Sequence, residues 1–353
     1  MATEQSLIET NCVVNEQMLR KLHQAGPQHL RYQGQRGDAF DRWATLVRDR
    51  LSQLLRFDAL DTLGATGPVR AQVVHTERCE GYTRELVMLD DGLIGPIPTY
   101  VLTPEPAPTA ARAVLCLHGH GGYYAGKDMV AGVERTHPIA RECAEALNYG
   151  YGVQMARAGY VAVCPDAFGF GQRMRPSDRW AEAHVCDQYH TMLVDVGLSH
   201  IGLTTRGNWR AIDYALALPQ VSGDTVGCVG LSYGGVQTMV LAAVDPRAAA
   251  AVVSGSLSRC ADSDGACGAQ SLPGMLEWFD RTDLVIATAP RAVLFELMQR
   301  DSCFDFDKAV RTYGDVRHGF EDAGAGERID LDTADTDHRY IGRRTCEWFE
   351  RYL

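Results

Sequence analysis

The stretch Thr225-Val226-Gly227-Cys228-Val229-Gly230-Leu231-Ser232-Tyr233-Gly234-Gly235 decides how the chain is read. Its first half is a short apolar, β-branched run of the kind that forms a buried strand. From about Val236 to Val244 the composition turns to Val, Ala, Leu and Met, which predicts a helix. Between them Gly230-Leu231-Ser232-Tyr233-Gly234 fits G-x-S-x-G, with the serine at the apex of a sharp strand-to-helix turn. A serine held proud on such a turn needs neighbours two residues away that carry no Cβ, or the turn clashes. The following helix aims its N-terminal N–H groups at the serine, where an oxyanion would form. Ser232 is therefore the candidate nucleophile. A glycine-rich turn matches five positions by chance, so the flanking strand and helix carry the reading.

The other features are ordinary for one large α/β domain with additions, or for two domains, at 353 residues. Hydrophobic residues make up 46% and charged residues 22%, as in soluble globular proteins. The net charge is −11 and no basic run is visible, which argues against a nucleic-acid or anionic-membrane partner. Eleven cysteines, an odd number without a C-x-x-C pair, suggest a reduced, cytoplasmic chain rather than a disulfide framework. Cys116, Cys164 and Cys228 fall in expected buried strands, where they pack as small hydrophobes. The N-terminus lacks the basic and apolar regions of a secretion signal, and no apolar run reaches the ~20 residues that span a membrane.

Residues 1–62 read as a helical extension, with Phe40, Trp43, Leu46, Val47, Leu51, Leu54 and Leu55 at helical spacing. The segment is expected to pack on the core, roof a site or form a homodimer contact. Residues 63–353 read as the catalytic domain, with insertions near 123–150 and 171–200. Strands are expected at 71–76, 83–89 and 97–102, before any long helix, as an antiparallel edge. From 113 onward strand and helix alternate: strands at 113–117, 159–166, 225–231, 248–253 and 291–297, with helices between. This predicts a mostly parallel sheet covered on both faces, whose sites lie at the carboxyl ends of strands. Phe306 to Thr312 reads as a helix, Tyr313 to Arg317 as a short last strand or loop, and His338 to Tyr352 as a closing helix.

A serine hydroxyl needs a base to take its proton and a third group to orient that base. Histidine has the suitable pKa. Of eleven histidines, His318 combines a position after the last expected strand with a Gly-Phe that permits a sharp turn, and it is the expected base. His338 is expected on the surface near the closing helix. Asp301, just after strand 291–297, is the expected acid; Asp305, Asp307, Asp262 and Asp264 stay open as alternatives. Two backbone N–H donors are needed for the oxyanion, and the amides of Tyr233 and His120 are expected to supply them. His120 lies in the glycine loop His118-Gly119-His120-Gly121-Gly122. That loop is no phosphate cradle: there is no G-x-x-x-x-G-K-[ST], and Lys127 is in the wrong place.

The order Leu117-His118-Gly119-His120-Gly121-Gly122, Pro165-Asp166 with Gly169-Phe170-Gly171, the Ser232 stretch, Asp301 and His318 resembles an α/β-hydrolase. Within that superfamily the chain is similar to the acetyl-xylan-esterase-like and dienelactone-hydrolase-like branch, over about residues 70–353. The resemblance implies a triad of Ser232, Asp301 and His318, with backbone donors at His120 and Tyr233. It implies hydrolysis of small-molecule esters, often acetyl esters, without a metal or organic cofactor. Relatives usually carry a glycine shortly before the acid; here the strand ends Leu297-Met298-Gln299-Arg300-Asp301. The same scaffold also hosts lyase, cyclase and C–C-bond chemistry, which is the alternative reading, and non-catalytic binding members.

Overall fold

A computed structural model describes residues 18–353 except 20, 65–66, 93, 122–124, 134–137, 179–184 and 261–266. Its sheet comprises β1 (Arg70–Cys79), β2 (Tyr82–Asp90), β3 (Pro96–Pro104), β4 (Ala111–Leu117), β5 (Val161–Pro165), β6 (Val221–Leu231), β7 (Ala248–Ser254), β8 (Ala292–Met298) and β9 (Ile329–Ala334). The spatial order is β1-β2-β3-β5-β4-β6-β7-β8-β9. β1, β2, β3 and β5 pair antiparallel, and every ladder from β5 to β9 is parallel. This is the expected parallel sheet with an antiparallel N-terminal flank.

The helices in chain order are α1 (Asp38–Leu54), α2 (Phe57–Leu63), α3 (Lys127–Val130), α4 (Pro138–Ala146), α5 (Tyr151–Arg157), α6 (Cys186–Val194), α7 (His200–Ala217), α8 (Tyr233–Val244), α9 (Met275–Trp278), α10 (Arg281–Ile286), α11 (Phe306–Asp322) and α12 (Thr345–Tyr352). Among the described residues no helix is long and apolar enough to cross a membrane.

The pleat of β4 sorts the core into two layers. Ala113, Leu115 and Leu117 join the layer of α1, α7, α8 and α10, while Val114 and Cys116 join that of α5 and α12. Alternate side chains of a strand point to opposite faces, so a strand buried on both sides is apolar throughout. Cys116, Cys164 and Cys228 are fully buried in these layers.

Helix α1 is part of the first layer. Phe40, Trp43, Val47 and Leu51 form its buried stripe, and the Trp43 indole N–H donates to the Leu30 carbonyl at 2.8 Å. The Arg48 guanidinium donates to the Ala287 carbonyl at the end of α10. Leu46, counted with this stripe from its spacing, faces solvent.

The C-terminal third departs from expectation. Tyr313 to Arg317 is not a strand but the middle of α11, which runs on to Asp322. Ala309, Tyr313, Val316 and Phe320 repeat at helical spacing and are buried, and that stripe outweighs Gly314 and Gly319 as breakers. Gly319 is where the Ile286 side chain of α10 comes closest, so its small size serves packing. The last strand is β9, whose Ile329-Asp330-Leu331-Asp332-Thr333 alternates apolar and polar. The closing helix starts at Thr345, which leaves His338 in the loop before it.

If α1 is integral to the core, Leu51→Ala should lower the unfolding free energy by about 2–5 kcal/mol in urea denaturation. Leu46→Ala, on the exposed side of the same helix, should change it by less than about 0.5 kcal/mol. Equal, small effects would make α1 a detachable cover.

Candidate active site

Ser232 sits between β6 and α8 with φ 61° and ψ −123°, a left-handed region that a non-glycine residue rarely adopts. A Cβ at Gly234 would run into the Leu117 carbonyl, and one at Gly230 into the Gly234 backbone. β4, β6 and the start of α8 therefore approach too closely for any side chain there. The Ser232 N–H donates to the Ser254 carbonyl of β7 at 2.9 Å, which fixes the apex to the neighbouring strand. The helix begins at Tyr233, three residues earlier than the composition suggests.

The loop after β4 lies against this apex. A Cβ on Gly119 would stand 3.2 Å from the Ser232 Cβ. His118 is fully buried: its Nε2 accepts the Ala167 N–H at 3.0 Å, so Nδ1 carries the proton and donates to the Gly119 carbonyl at 3.0 Å. Burial pushes the His118 pKa down, against the pull of Asp166, and keeps the ring neutral. The Gln237 side chain donates to the His118 carbonyl, and Asn208 donates to Gln237. The backbone leading to His120 is thereby held on both sides.

Lys127 is buried and pairs with Asp166 at 3.0 Å. Asp166 also accepts the backbone N–H groups of Lys127 and Gln172, tying the two insertions together at the end of β5. Lys127 thus has a structural role.

The structure brings Asp301 to His338, not to His318. The His338 Nδ1–H donates to Asp301 Oδ2 at 2.8 Å, and Asp301 Oδ1 accepts the N–H groups of Cys303 and Phe304. The Asp301 side chain is 2% exposed and His338 14%. The His338 ring stacks on Phe304 and lies over Gly255, with Cε1 3.1 Å from where a Cβ would be. Gly255 follows Ser254, the residue that holds the Ser232 amide. Arg300 pairs with Asp335 and Asp337 and so fastens the start of the His338 loop.

The expectation for His318 is corrected. It lies on α11, 63% exposed, 3.5 Å from Asp322 one turn along. The strand expected before His318 is helix, and the histidine that follows the last strand, β9, and meets Asp301 is His338. The alternation at 329–333 was the signal available in the sequence.

Asp305 caps α11 through the Lys308 N–H, and Asp307 is an exposed residue in the first turn of that helix. Asp262 and Asp264 lie outside the described residues, as do Gly122, His137 and His184.

The His120 side chain points to neither of these groups. Its Nε2 lies 3.1 Å from Cys267 Sγ and 3.8 Å from Cys186 Sγ, and its ring packs on Phe170 and Tyr233. Hydrogen bonding with the Cys186 thiol pulls the Cys267 thiol down to about 4, with His120 adding to the shift and burial opposing it. His200, on the far side of Phe170 and Tyr233, is buried and pushed down to about 3 by burial, with His120 adding to it.

A turn-borne serine at the carboxyl ends of parallel strands, with a carboxylate–imidazole pair over the end of the neighbouring strand, fits the α/β-hydrolase class. The chain matches the Abhydrolase family over residues 2–323 and belongs to it. It is 27% identical over 200 residues to YtaP of Bacillus subtilis (strain 168), a candidate hydrolase, covering 56% of this chain. The chain spans 60% of that relative's length. Among solved structures it resembles a candidate acetyl xylan esterase from Bacteroides fragilis NCTC 9343, with TM-score 0.74 and 17% identity over 90% of this chain and 81% of the other. It also resembles the acetyl xylan esterase from Paenibacillus sp. R4, with TM-score 0.60 and 16% identity over 92% and 97%. At these identities the likeness is one of fold. The family match takes in the N-terminal helices.

Glu296, buried in β8, accepts the N–H groups of Ile341 and Gly342 at 3.1 and 2.7 Å, while its own carbonyl accepts the Gly255 N–H. It joins the sheet to the loop that carries His338. Burial pushes its carboxyl up to about 7, against the pull of those two donors. The native chain then keeps a proton that the unfolded chain has released between about pH 4.5 and 7, so stability falls as pH rises through that window. Relative to Glu296→Gln, the wild type should lose about 3 kcal/mol across it. Urea titrations at several pH values read this difference. Parallel pH profiles for the two proteins would show that Glu296 is not buried as described.

Proposed function

We propose that this protein hydrolyses a carboxylic ester of a small molecule through Ser232, His338 and Asp301. The observation that carries the reading is the Asp301–His338 hydrogen bond, seated on Gly255 next to the strand end that holds the Ser232 amide. Asp301 fixes the imidazole with the proton on Nδ1, which leaves Nε2 as the base. Nε2 takes the Ser232 proton as Oγ attacks the acyl carbonyl. The backbone N–H groups of Tyr233 and His120 receive the oxyanion, and the start of α8 adds its dipole. His338 returns the proton to the departing alcohol. Water then releases the acyl group by the same path in reverse.

Ester bonds are favoured because solved neighbours bear esterase names that differ in the ester: acetyl xylan esterase, methylesterase and glucuronoyl esterase. They agree on the bond and not on what flanks it. Acetyl esters are the first class to test, and the cysteine content supports a reducing, cytoplasmic setting.

Ser232→Ala should lower the hydrolysis of p-nitrophenyl acetate by on the order of 10⁴–10⁶-fold and abolish labelling by a fluorophosphonate probe. His338→Ala should have a comparable effect on turnover, and His318→Ala should leave it within about two-fold of wild type. A strong loss in His318→Ala with an active His338→Ala would overturn the assignment of the base. Labelling of Ser232 without turnover of any ester in a panel would point to lyase-type chemistry in the same pocket.

A further inference from the structure

We infer that His120, Cys186 and Cys267 form a binding site for a thiophilic divalent cation, zinc in the first place. The three come from separate segments: the loop after β4, the first residue of α6, and the loop after β7. Their ligand atoms all lie within 4.8 Å of one another. Tetrahedral zinc, with bonds of about 2.3 Å to sulfur and about 2.0 Å to nitrogen, spaces sulfur and nitrogen about 3.5 Å apart. The two nitrogen–sulfur separations here, 3.1 and 3.8 Å, bracket that value. Two sulfurs and one imidazole nitrogen are the donor set that selects zinc over magnesium or calcium.

The surroundings also point to a ligand. His190 stands four residues after Cys186 on α6, hence on the same helix face, and its Cβ region touches Gly268 beside Cys267. Its Nδ1 is buried with no hydrogen-bond partner among the described residues. The same holds for Nε2 of the fully buried His200. Asp187 accepts the Gly268 N–H, which joins the two cysteine-bearing segments through the backbone. Three protein ligands leave a fourth position for water or His190.

Such an ion has a structural task. It would clamp the start of α6 and the loop after β7 to the loop after β4, whose His120 amide the ester reading assigns to the oxyanion. Both cysteines would bind as thiolates, so binding would release any thiol proton still present. Only the consequence for that amide rests on the ester reading; the readout below is metal binding.

The test uses the full chain, reduced, stripped with a chelator and titrated with Co²⁺ and then Zn²⁺. One ion per chain is expected, with a thiolate-to-cobalt charge-transfer band and the intense visible bands of a tetrahedral centre. Zinc should displace the cobalt and shield Cys186 and Cys267 from alkylation while exposed Cys303 reacts. Cys186→Ser and Cys267→Ser should each weaken binding at least ten-fold. Cys303→Ser should keep the spectrum, although Cys303 belongs to a second acid–thiol–imidazole group with Asp301 and His338. No such spectrum in the folded wild type would overturn the proposal. So would a spectrum lost in Cys303→Ser but retained in the other two. A Cys186–Cys267 disulfide, mapped by mass in protein isolated without reductant and retaining no metal, would overturn it as well.

Discussion

The site is organised by the approach of β4, β6 and the first turn of α8 to backbone contact. That contact is possible only where Gly230 and Gly234 present no side chain. It leaves the chain one way to reverse, through a left-handed residue at 232, and the Ser254 carbonyl receives the amide that this geometry exposes. A strained residue persists only where its surroundings over-determine it. Here two neighbouring strands, the glycine loop and the helix start all press on the same few atoms.

Around this apex, three buried polar side chains are matched to partners. His118 is neutral and uses both ring nitrogens on the backbone. Asp166 meets Lys127 and two N–H groups, and Glu296 meets two more. An unmatched polar group in such a place costs about 1–3 kcal/mol, and an uncompensated charge costs more. The loops after β4, β5 and β9 are therefore held by directed bonds from the core, and the geometry of the rim is inherited from the sheet.

Much of this was legible in the residues. Continuous apolar runs marked β4 to β8, and the turn chemistry at 230–235 marked the apex. The position of Asp301 after β8 was legible, and the histidine it meets was not. Gly319-Phe320 read as a sharp turn, and a single glycine does cost helix stability, yet the stripe Ala309, Tyr313, Val316, Phe320 is buried and the helix runs through. One misassigned strand placed the expected partner of Asp301 at His318, whereas the structure pairs Asp301 with His338. The N-terminal segment was legible as helix with packing on the core among its expected roles, and the structure places the α1 stripe in the main core.

The sequence by itself determined the alternation of strand and helix, the glycine-bound serine, and the kinds of side chain at the ends of strands, because these follow from local sterics and from the periodicity of apolar residues. Only the tertiary structure decided which histidine faces Asp301, and that His120 turns its ring to two cysteines 66 and 147 positions away. Those pairings depend on where long loops fall across the sheet, and no local preference encodes such distances.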